Sequence, residues 1–210
     1  MTGTLMLYTH PMSRGRITRW MLEETGQPYE TEIVPIREPK TEAFLAVNPM
    51  GKVPVLRHGD VTLTENAAIC AYLADAFPQA GLAPATDSPL RAAYYRWLFM
   101  VAGPLEAAMV NHAMGVEVRE EHTGMLGYGT FERIFGLAEA ELEGTTHLVG
   151  DSFTTADLLM IGLLQWGMSF ELVEKRPAFV AYVKHHAARP ALGRARALDD
   201  ALLEQFQQPA

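Results

Sequence analysis

The stretch from Asn48 to Ala74 (NPMGKVPVLRHGDVTLTENAAICAYLA) constrains the fold more than any other part of the chain. Val53 to Leu56 is a short β-branched run that is interrupted by Pro54. Because proline lacks a backbone N–H, this run is predicted to lie at a strand start, an edge or a bend. The residues that follow, HGDVTL, predict a turn and a short returning strand.

A helix is predicted to begin directly after this hairpin, at Thr64-Glu65-Asn66. The start of a helix presents free N–H groups and partial positive charge, so it can bind a carboxylate. Glu65 can hold an ammonium group, and Pro54 leaves the backbone of Val53 free to pair with a partner outside the sheet. A ligand with both charged groups, such as the end of an α-amino acid, would fit this corner.

The composition excludes several classes of protein. A chain of 210 residues can bury a core, and its net charge of −8 argues against nonspecific nucleic-acid binding as the main task. The one cysteine, Cys70, excludes an internal disulfide framework and a cysteine-rich metal site. No apolar run approaches the roughly 20 residues of a membrane span, and the N-terminus lacks the features of a signal peptide. We therefore expect a soluble cytoplasmic protein.

The first eighty residues alternate between strand and helix patterns, which predicts a small α/β layer. A buried strand is predicted at residues 5–8, and a helix with Ser13 as its N-cap is predicted to end at Gly26. An extended segment at 30–34 and a short helix at 41–47 complete the pattern before the hairpin.

The composition changes after residue 77, where the segment PQAGLAPATD is typical of a linker. Only helices are predicted beyond it. A long helix opens at Ser88 and is expected to bend near Pro104, and a capping box is predicted at Thr154 and Asp157. The remaining helices are predicted at residues 123–143, 177–188 and 190–203.

The order of these elements, together with the loop NPMGKVPVL, the helix start TENAAICAYLA and the capping segment FTTAD, resembles a soluble glutathione S-transferase. The resemblance covers nearly the whole chain. It implies an α/β plus all-α fold: a thioredoxin-like glutathione-binding domain at residues 1–78, a linker at 79–87 and an all-helical domain at 88–210. It also implies glutathione as co-substrate.

The resemblance assigns the glutathione-binding residues. Pro54 should be a cis-proline, and Val53 should pair its backbone N–H and C=O with the cysteinyl part of glutathione. Glu65 and Asn66 should hold the γ-glutamyl end, with Lys52 close by. Asn66 departs from the family, which usually has serine or threonine there. Because an amide can donate to a carboxylate as a hydroxyl does, we expect the binding role to survive with altered geometry.

The chemistry of such an enzyme depends on the thiol of glutathione. A free thiol with a pKa of about 8.5 is mostly protonated at neutral pH, and only the thiolate is a strong nucleophile. Lowering that pKa by about two units needs roughly 2.7 kcal/mol of preferential stabilisation of the anion. A hydroxyl donor at a helix start, with a cation nearby, can supply much of it. Ser13 has this placement, and Arg14 and Arg16 follow it.

Three residues are candidates for the donor, because members of the family use tyrosine, serine or cysteine in slightly different places. Tyr8 resembles the tyrosine-type position, whereas Ser13 resembles the serine or cysteine position of bacterial and plant members. We favour Ser13 because it lies at the helix start. Arg16 is similar to an arginine beside the thiolate in tyrosine-type members, which keeps Tyr8 open. His10 lies between them and is a further alternative.

The electrophile pocket is also assigned by resemblance. The family builds it from the helical region after the linker and from the loop near His10. The candidates are His10, Met12, Tyr94, Trp97 and Val101.

No metal site is expected. Adjacent residues on a helix lie about 100° apart, so His185 and His186 are not the pair spaced by four that can chelate one metal. Cys70 falls within an apolar helix and is interpreted as a small buried side chain. Asp157 is interpreted as a capping residue.

The sequence is therefore predicted to encode a cytoplasmic glutathione S-transferase that acts on hydrophobic electrophiles in detoxification. By resemblance it should be a homodimer that binds neither nucleic acid nor membrane. Two other classes stay open. One is a transferase-like protein without activity that binds a partner, as stringent starvation proteins bind RNA polymerase. The other is a glutathione-dependent peroxidase, isomerase or dehalogenase.

Overall fold

A computed structural model of the chain describes residues 3–207 and contains two compact units. The first unit comprises the chain up to Leu82 together with the segment from Arg189 onward. The second unit comprises Ala83–Ala188. Within the described residues, no helix combines the length and the apolar character needed to cross a membrane.

The first unit is built on a four-stranded mixed sheet, as the sequence predicted. The strands are β1 (Leu5–Thr9), β2 (Tyr29–Ile33), β3 (Val55–His58) and β4 (Val61–Leu63), and their order in the sheet is β2-β1-β3-β4. β1 pairs with β2 in parallel and with β3 antiparallel, and β3 pairs with β4 antiparallel. The helices of this part are α1 (Gly15–Thr25), α2 (Glu42–Val47) and α3 (Asn66–Ala76). This is a thioredoxin-like domain.

The position of α1 follows from the topology of the sheet. Two parallel strands cannot be joined by a tight turn, so the chain crosses from β1 to β2 through a helix. α1 contributes three fully or almost fully buried side chains to the core, Trp20, Met21 and Leu22. It ends at Gly26, whose φ of 66° is the left-handed conformation that glycine adopts readily.

The last helix, α9 (Pro190–Gln207), packs against α1 and belongs to the first unit. The predicted helical domain, residues 88–210, is therefore too long at its C-terminal end. Asp199 of α9 accepts from Arg19 at 2.9 Å, and both side chains are buried. Arg194 adds a second ion pair, at 2.7 Å from Glu23. Sequence periodicity could not reveal these pairs, because each joins residues more than 150 positions apart.

The second unit consists of helices. They are α4 (Leu90–Met100), α5 (Glu106–Ala113), α6 (Phe131–Leu142), α7 (Thr155–Ser169) and α8 (Pro177–His186). A π-helical turn, Val101–Leu105, joins α4 to α5 and contains Pro104, where a bend was predicted. The chain also forms short 3-10 helices at Pro78–Ala80 and Glu120–Met125.

The helix predicted at 123–143 begins only at Phe131. Gly129 has a φ of 66°, which interrupts the helical backbone. Thr130 follows it in an extended conformation and caps α6 by accepting from the N–H of Arg133 at 3.2 Å. The apolar periodicity before residue 129 belongs to the 3-10 helix and its connecting loop.

The predicted capping box at the start of α7 is confirmed, and Asp157 does more than cap. Its buried carboxylate accepts from the N–H of Thr154 at 2.7 Å and from the Thr154 hydroxyl at 3.0 Å. It also accepts from the N–H of Leu148 at 2.7 Å and from the hydroxyl of Tyr182 on α8. Burial and this carboxylate raise the pKa of Tyr182. One acid therefore joins α7, its preceding loop and α8.

Replacing Asp157 by alanine should lower the free energy of unfolding by about 3 kcal/mol or more, because several buried donors lose their acceptor. The matched control is Thr130→Ala, which removes an exposed cap and should cost about 1 kcal/mol. Urea denaturation measures both values. Equal losses in the two variants would contradict the structural role of Asp157.

Asp199→Ala should destabilise the protein by about 3–5 kcal/mol, because it leaves the buried guanidinium of Arg19 without its carboxylate. Asp200→Ala is the control, since the Arg16–Asp200 pair has exposed fractions of 34% and 59%. This exposed pair should contribute less than about 1 kcal/mol. Urea denaturation of the two variants tests whether α9 is held mainly through Asp199; a larger loss in Asp200→Ala would refute it.

Candidate active site

The loop before β3 is organised by the side chain of Asn48, which is 5% exposed. Its amide nitrogen donates to the carbonyl of Lys52 at 2.8 Å, and its amide oxygen accepts from the N–H of Met50 at 3.2 Å. The Val53–Pro54 peptide bond is cis, as predicted. Lys52 is exposed and Val53 is half-buried, so the loop keeps both residues at the surface of the first unit.

Val53 lies immediately ahead of the paired part of β3. The ladder between β1 and β3 begins at the pair Tyr8 and Val55, and Pro54 is buried beside it. Residues 48–51 form a turn, closed by a hydrogen bond from the N–H of Gly51 to the carbonyl of Asn48 at 2.9 Å, and Lys52 and Val53 follow it outside the paired part of the sheet. Backbone that lies outside the ladder, as at Val53, can pair with an extended peptide.

The start of α3 combines a strained residue with an oriented amide. Glu65 is exposed and has a φ of 66° and a ψ of 114°, a conformation that is costly for a residue other than glycine and that is common at functional sites. The amide oxygen of Asn66 accepts from the hydroxyl of Thr18 on α1 at 2.8 Å. The NH₂ end of Asn66 is then the end that can donate to a carboxylate.

Ser13 lies in the loop that joins β1 to α1. Its hydroxyl donates to the carbonyl of His10 at 2.7 Å and accepts from the N–H of Gly15 at 3.0 Å. The N-cap position of α1 is held by Arg14 and not by Ser13, so the predicted helix start is one residue early. Ser13 still accepts a hydrogen bond from the first N–H of the helix, and it is half-buried rather than enclosed.

Gly15 brings the start of α1 against the end of β1. A Cβ at this position would lie 1.8 Å from Oγ1 of Thr9, a distance that no real contact allows. Thr9 itself is fully buried. The absence of a side chain at Gly15 therefore sets how closely the helix start, and Ser13 with it, approaches the strand.

Tyr8 lies in the apolar core of the first unit. It is 6% exposed, and its ring centroid is 5.9 Å from that of Phe44. Val34 and Val55 belong to the same cluster. This placement is explained by packing alone, and it favours Ser13 over Tyr8 as the hydroxyl that meets a ligand.

The guanidinium of Arg16 is bound by α9. Its Nη2 donates to Asp200 at 2.5 Å, and its Nε lies 3.9 Å from Asp199. Nη1 donates to the carbonyl of Pro11 at 3.4 Å, in the loop that carries Ser13. The predicted role beside a thiolate stays a prediction, because the positive charge of Arg16 already faces two carboxylates.

His10 is buried, and its Nδ1 accepts from the N–H of Met12 at 3.1 Å. Burial, assisted by Lys40 and Arg37, lowers the pKa of this imidazole. His10 is therefore neutral at pH 7 and does not supply the cation that a thiolate needs.

The residues predicted to line the electrophile pocket differ widely in exposure. In the first unit, His10 is buried and the side chain of Met12 is 54% exposed. In the second unit, Tyr94, Trp97 and Val101 are at most 4% exposed and contribute to the core. Their role as pocket residues stays a prediction.

The sequence analysis missed three residues that position the site: Asn48, Thr18 and Gly15. Asn48 carries a local signal, since asparagine before proline and glycine is typical of a turn in which the side chain bonds the backbone two residues on. Thr18 carries none, because its partner Asn66 is 48 residues away. The need for Gly15 depends on a contact with a strand, which sequence spacing alone does not predict.

The first unit therefore contains a backbone segment outside the ladder at Val53, an amide donor at the start of α3 and a hydroxyl at the start of α1. The first can bind a peptide backbone, and the second can bind a carboxylate. The third can donate to an anion close to the N-terminus of α1, where the helix dipole favours negative charge.

Comparison with known proteins gives matches to both parts of the chain. Residues 12–76 match the model of the glutathione S-transferase N-terminal domain, and residues 125–190 match that of the C-terminal domain. A glutathione S-transferase from Arabidopsis thaliana is 30% identical over 183 residues, which cover 77% of this chain and 81% of that protein. Another, from Xanthomonas campestris, is 28% identical over 172 residues, which cover 77% of this chain and 82% of that protein.

Solved structures show the same similarity. A sphingomonad glutathione S-transferase complexed with glutathione superposes with a TM-score of 0.76 at 31% identity, covering 93% of this chain and 98% of that one. A glutathione transferase from Methylococcus capsulatus superposes with a TM-score of 0.79 at 29% identity, covering 94% of this chain and 100% of that one.

Proposed function

Because the chain belongs to the glutathione S-transferase family, we propose that it binds glutathione along residues 48–66 and activates the glutathione thiol with Ser13 for attack on a hydrophobic electrophile. The observation that carries the proposal is the hydroxyl of Ser13, half-buried beside the first N–H of α1. A hydroxyl in that place can donate to an anion while it accepts from the helix.

Recognition of the tripeptide is divided along the site. The backbone of Val53 binds the cysteinyl part, and Asn66 donates to the α-carboxylate of the γ-glutamyl end. Glu65 receives the ammonium of the same end, and Lys52 adds positive charge to the exposed side of the loop. The ammonium is thus met by a carboxylate and the α-carboxylate by an amide donor at a helix start, which fixes the direction in which the tripeptide lies.

Activation of the sulfur needs one change in hydrogen bonding. The Ser13 proton, which is directed to the carbonyl of His10 at 2.7 Å, turns to the sulfur when glutathione is bound. The N–H of Gly15 continues to donate to Ser13 and polarises its hydroxyl. A pKa of the thiol lowered by about two units would correspond to roughly 2.7 kcal/mol.

The remaining elements of the proposal rest on family membership. The electrophile is hydrophobic, with Met12, Tyr94, Trp97 and Val101 as the residues predicted to contact it. The protein acts as a cytoplasmic homodimer in detoxification. Retention on immobilised glutathione separates this proposal from a partner-binding protein without activity, which would not be retained.

Ser13→Ala should reduce kcat with a chloronitrobenzene substrate by about 10- to 100-fold, because the thiolate loses its hydrogen-bond donor. The pKa of bound glutathione, read from the pH dependence of kcat, should rise towards that of the free thiol. Tyr8→Phe is the matched control and should change kcat by less than about twofold. A loss in Tyr8→Phe with normal turnover in Ser13→Ala would move the role to Tyr8.

Asn66→Ala should weaken glutathione binding by about tenfold or more, since a hydrogen bond to a charged group contributes about 1.5–3 kcal/mol. Thr18→Val should weaken it less, because the amide remains but is no longer oriented. Thr62→Ala, on the exposed strand β4, is the control and should bind normally. Calorimetric titration with glutathione measures all three, and unchanged affinity in Asn66→Ala would contradict the assigned carboxylate contact.

A further inference from the structure

Three histidines of the second unit converge at one place. His147 lies in the loop between α6 and α7, and His185 and His186 are the last two residues of α8. One ring nitrogen of each lies within 4.8 Å of those of the other two. The ring centroids are 4.7 Å apart for the adjacent pair, and that of His147 lies 5.5 Å from His186 and 6.1 Å from His185.

With His147 beside them, His185 and His186 can contribute to a metal site. Adjacent positions on a straight helix point in different directions, so the sequence analysis expected no metal there. At the end of α8 the two rings are in contact, and His147 supplies a third imidazole from a loop 38 residues earlier. In a tetrahedral site with metal–nitrogen distances of about 2.0–2.1 Å, the nitrogens are roughly 3.4 Å apart. His185 is the exposed residue of the three, so its ring can rotate to shorten the remaining distance.

Thr146 orients two of the three rings. Its carbonyl accepts from Nε2 of the buried His186 at 2.8 Å, and its hydroxyl lies 3.2 Å from Nδ1 of His147. A histidine that donates through one ring nitrogen keeps a lone pair on the other. Histidines that bind metals almost always have this second hydrogen bond, often to a backbone carbonyl, because it fixes the tautomer and the ring orientation.

The electrostatic surroundings of the three histidines favour a cation. The C-terminal end of α8 carries partial negative charge. The buried carboxylate of Asp157 bonds to Tyr182, whose ring centroid is 5.3 Å from that of His186.

An open cleft gives access to the cluster. It has a volume of about 560 Å³, and its walls include His185, Tyr182, Thr146 and Glu143. Water can therefore reach a metal held by the three histidines and fill a fourth position. Imidazole ligands suit zinc, copper, nickel and iron, whereas calcium and magnesium prefer oxygen ligands.

We propose that His147, His185 and His186 form a binding site for one divalent transition-metal ion of the Zn²⁺ class, with water as the fourth ligand. The ion joins the loop before α7 to the end of α8. The site is independent of the glutathione site, which lies in the first unit.

The test is a titration of the full chain with Zn²⁺, in competition with a chromophoric chelator. The wild type should bind one tight equivalent, and the affinity should fall by about tenfold or more in His185→Ala and in His147→Ala. His185 is exposed and His147 half-buried, so both variants should fold, which circular dichroism checks. The matched control is His122→Ala in the 3-10 helix of the same unit, which should bind as the wild type does.

A second measurement tests whether Zn²⁺ binding stabilises the protein against thermal unfolding. Saturating Zn²⁺ should raise the Tm of the wild type and of His122→Ala, and should not raise that of His185→Ala. The proposal is overturned if the wild type shows no tight equivalent, or if the two site variants bind Zn²⁺ as tightly as the control does. Glutathione binding is expected to be the same in all these variants, so failure here leaves the proposed function intact.

Discussion

The hydrogen bond between Thr18 and Asn66 joins the two helices that carry the candidate active site. Thr18 is fully buried on α1, and Asn66 is the first residue of α3. This hydrogen bond fixes the start of α3 relative to α1. It also occupies the amide oxygen of Asn66, which leaves the NH₂ group as the end that can donate to a ligand. The ligand binding proposed at the start of α3 and the thiol activation proposed at the start of α1 would therefore both depend on this one contact between two small polar side chains.

The sequence predicted those features that are formed by residues close together in the chain. The cis peptide before Pro54, the four strands and the capping box of α7 each follow from residues close together in the chain, or from a family motif that is itself contiguous. The predicted helix start favoured Ser13 over Tyr8, but the sequence did not predict that Tyr8 is enclosed in the core. Tyr8 packs on Phe44, which is 36 residues away, and only the folded chain displays that contact.

The features that the sequence did not predict are long-range and polar. The pairing of Arg16 with Asp200 was not predicted, and the helix that carries Asp200 was predicted as part of the other domain. His147 was not considered beside His185 and His186. In each case two charged or polar residues meet across more than thirty positions of intervening chain. Apolar periodicity, which located most of the helices, carries no information about such pairs.

The return of α9 to the first unit also has a consequence for synthesis. Only after about 100 residues of the second unit have been made does the segment that begins at Arg189 follow. At 5–20 residues per second, this interval lasts roughly 5–20 seconds on the ribosome. During that time α1 lacks the helix that covers it, and Arg19 has no Asp199 to neutralise it. The N-terminal part of the protein is thus the first to be made, and it is completed only when the end of the chain emerges.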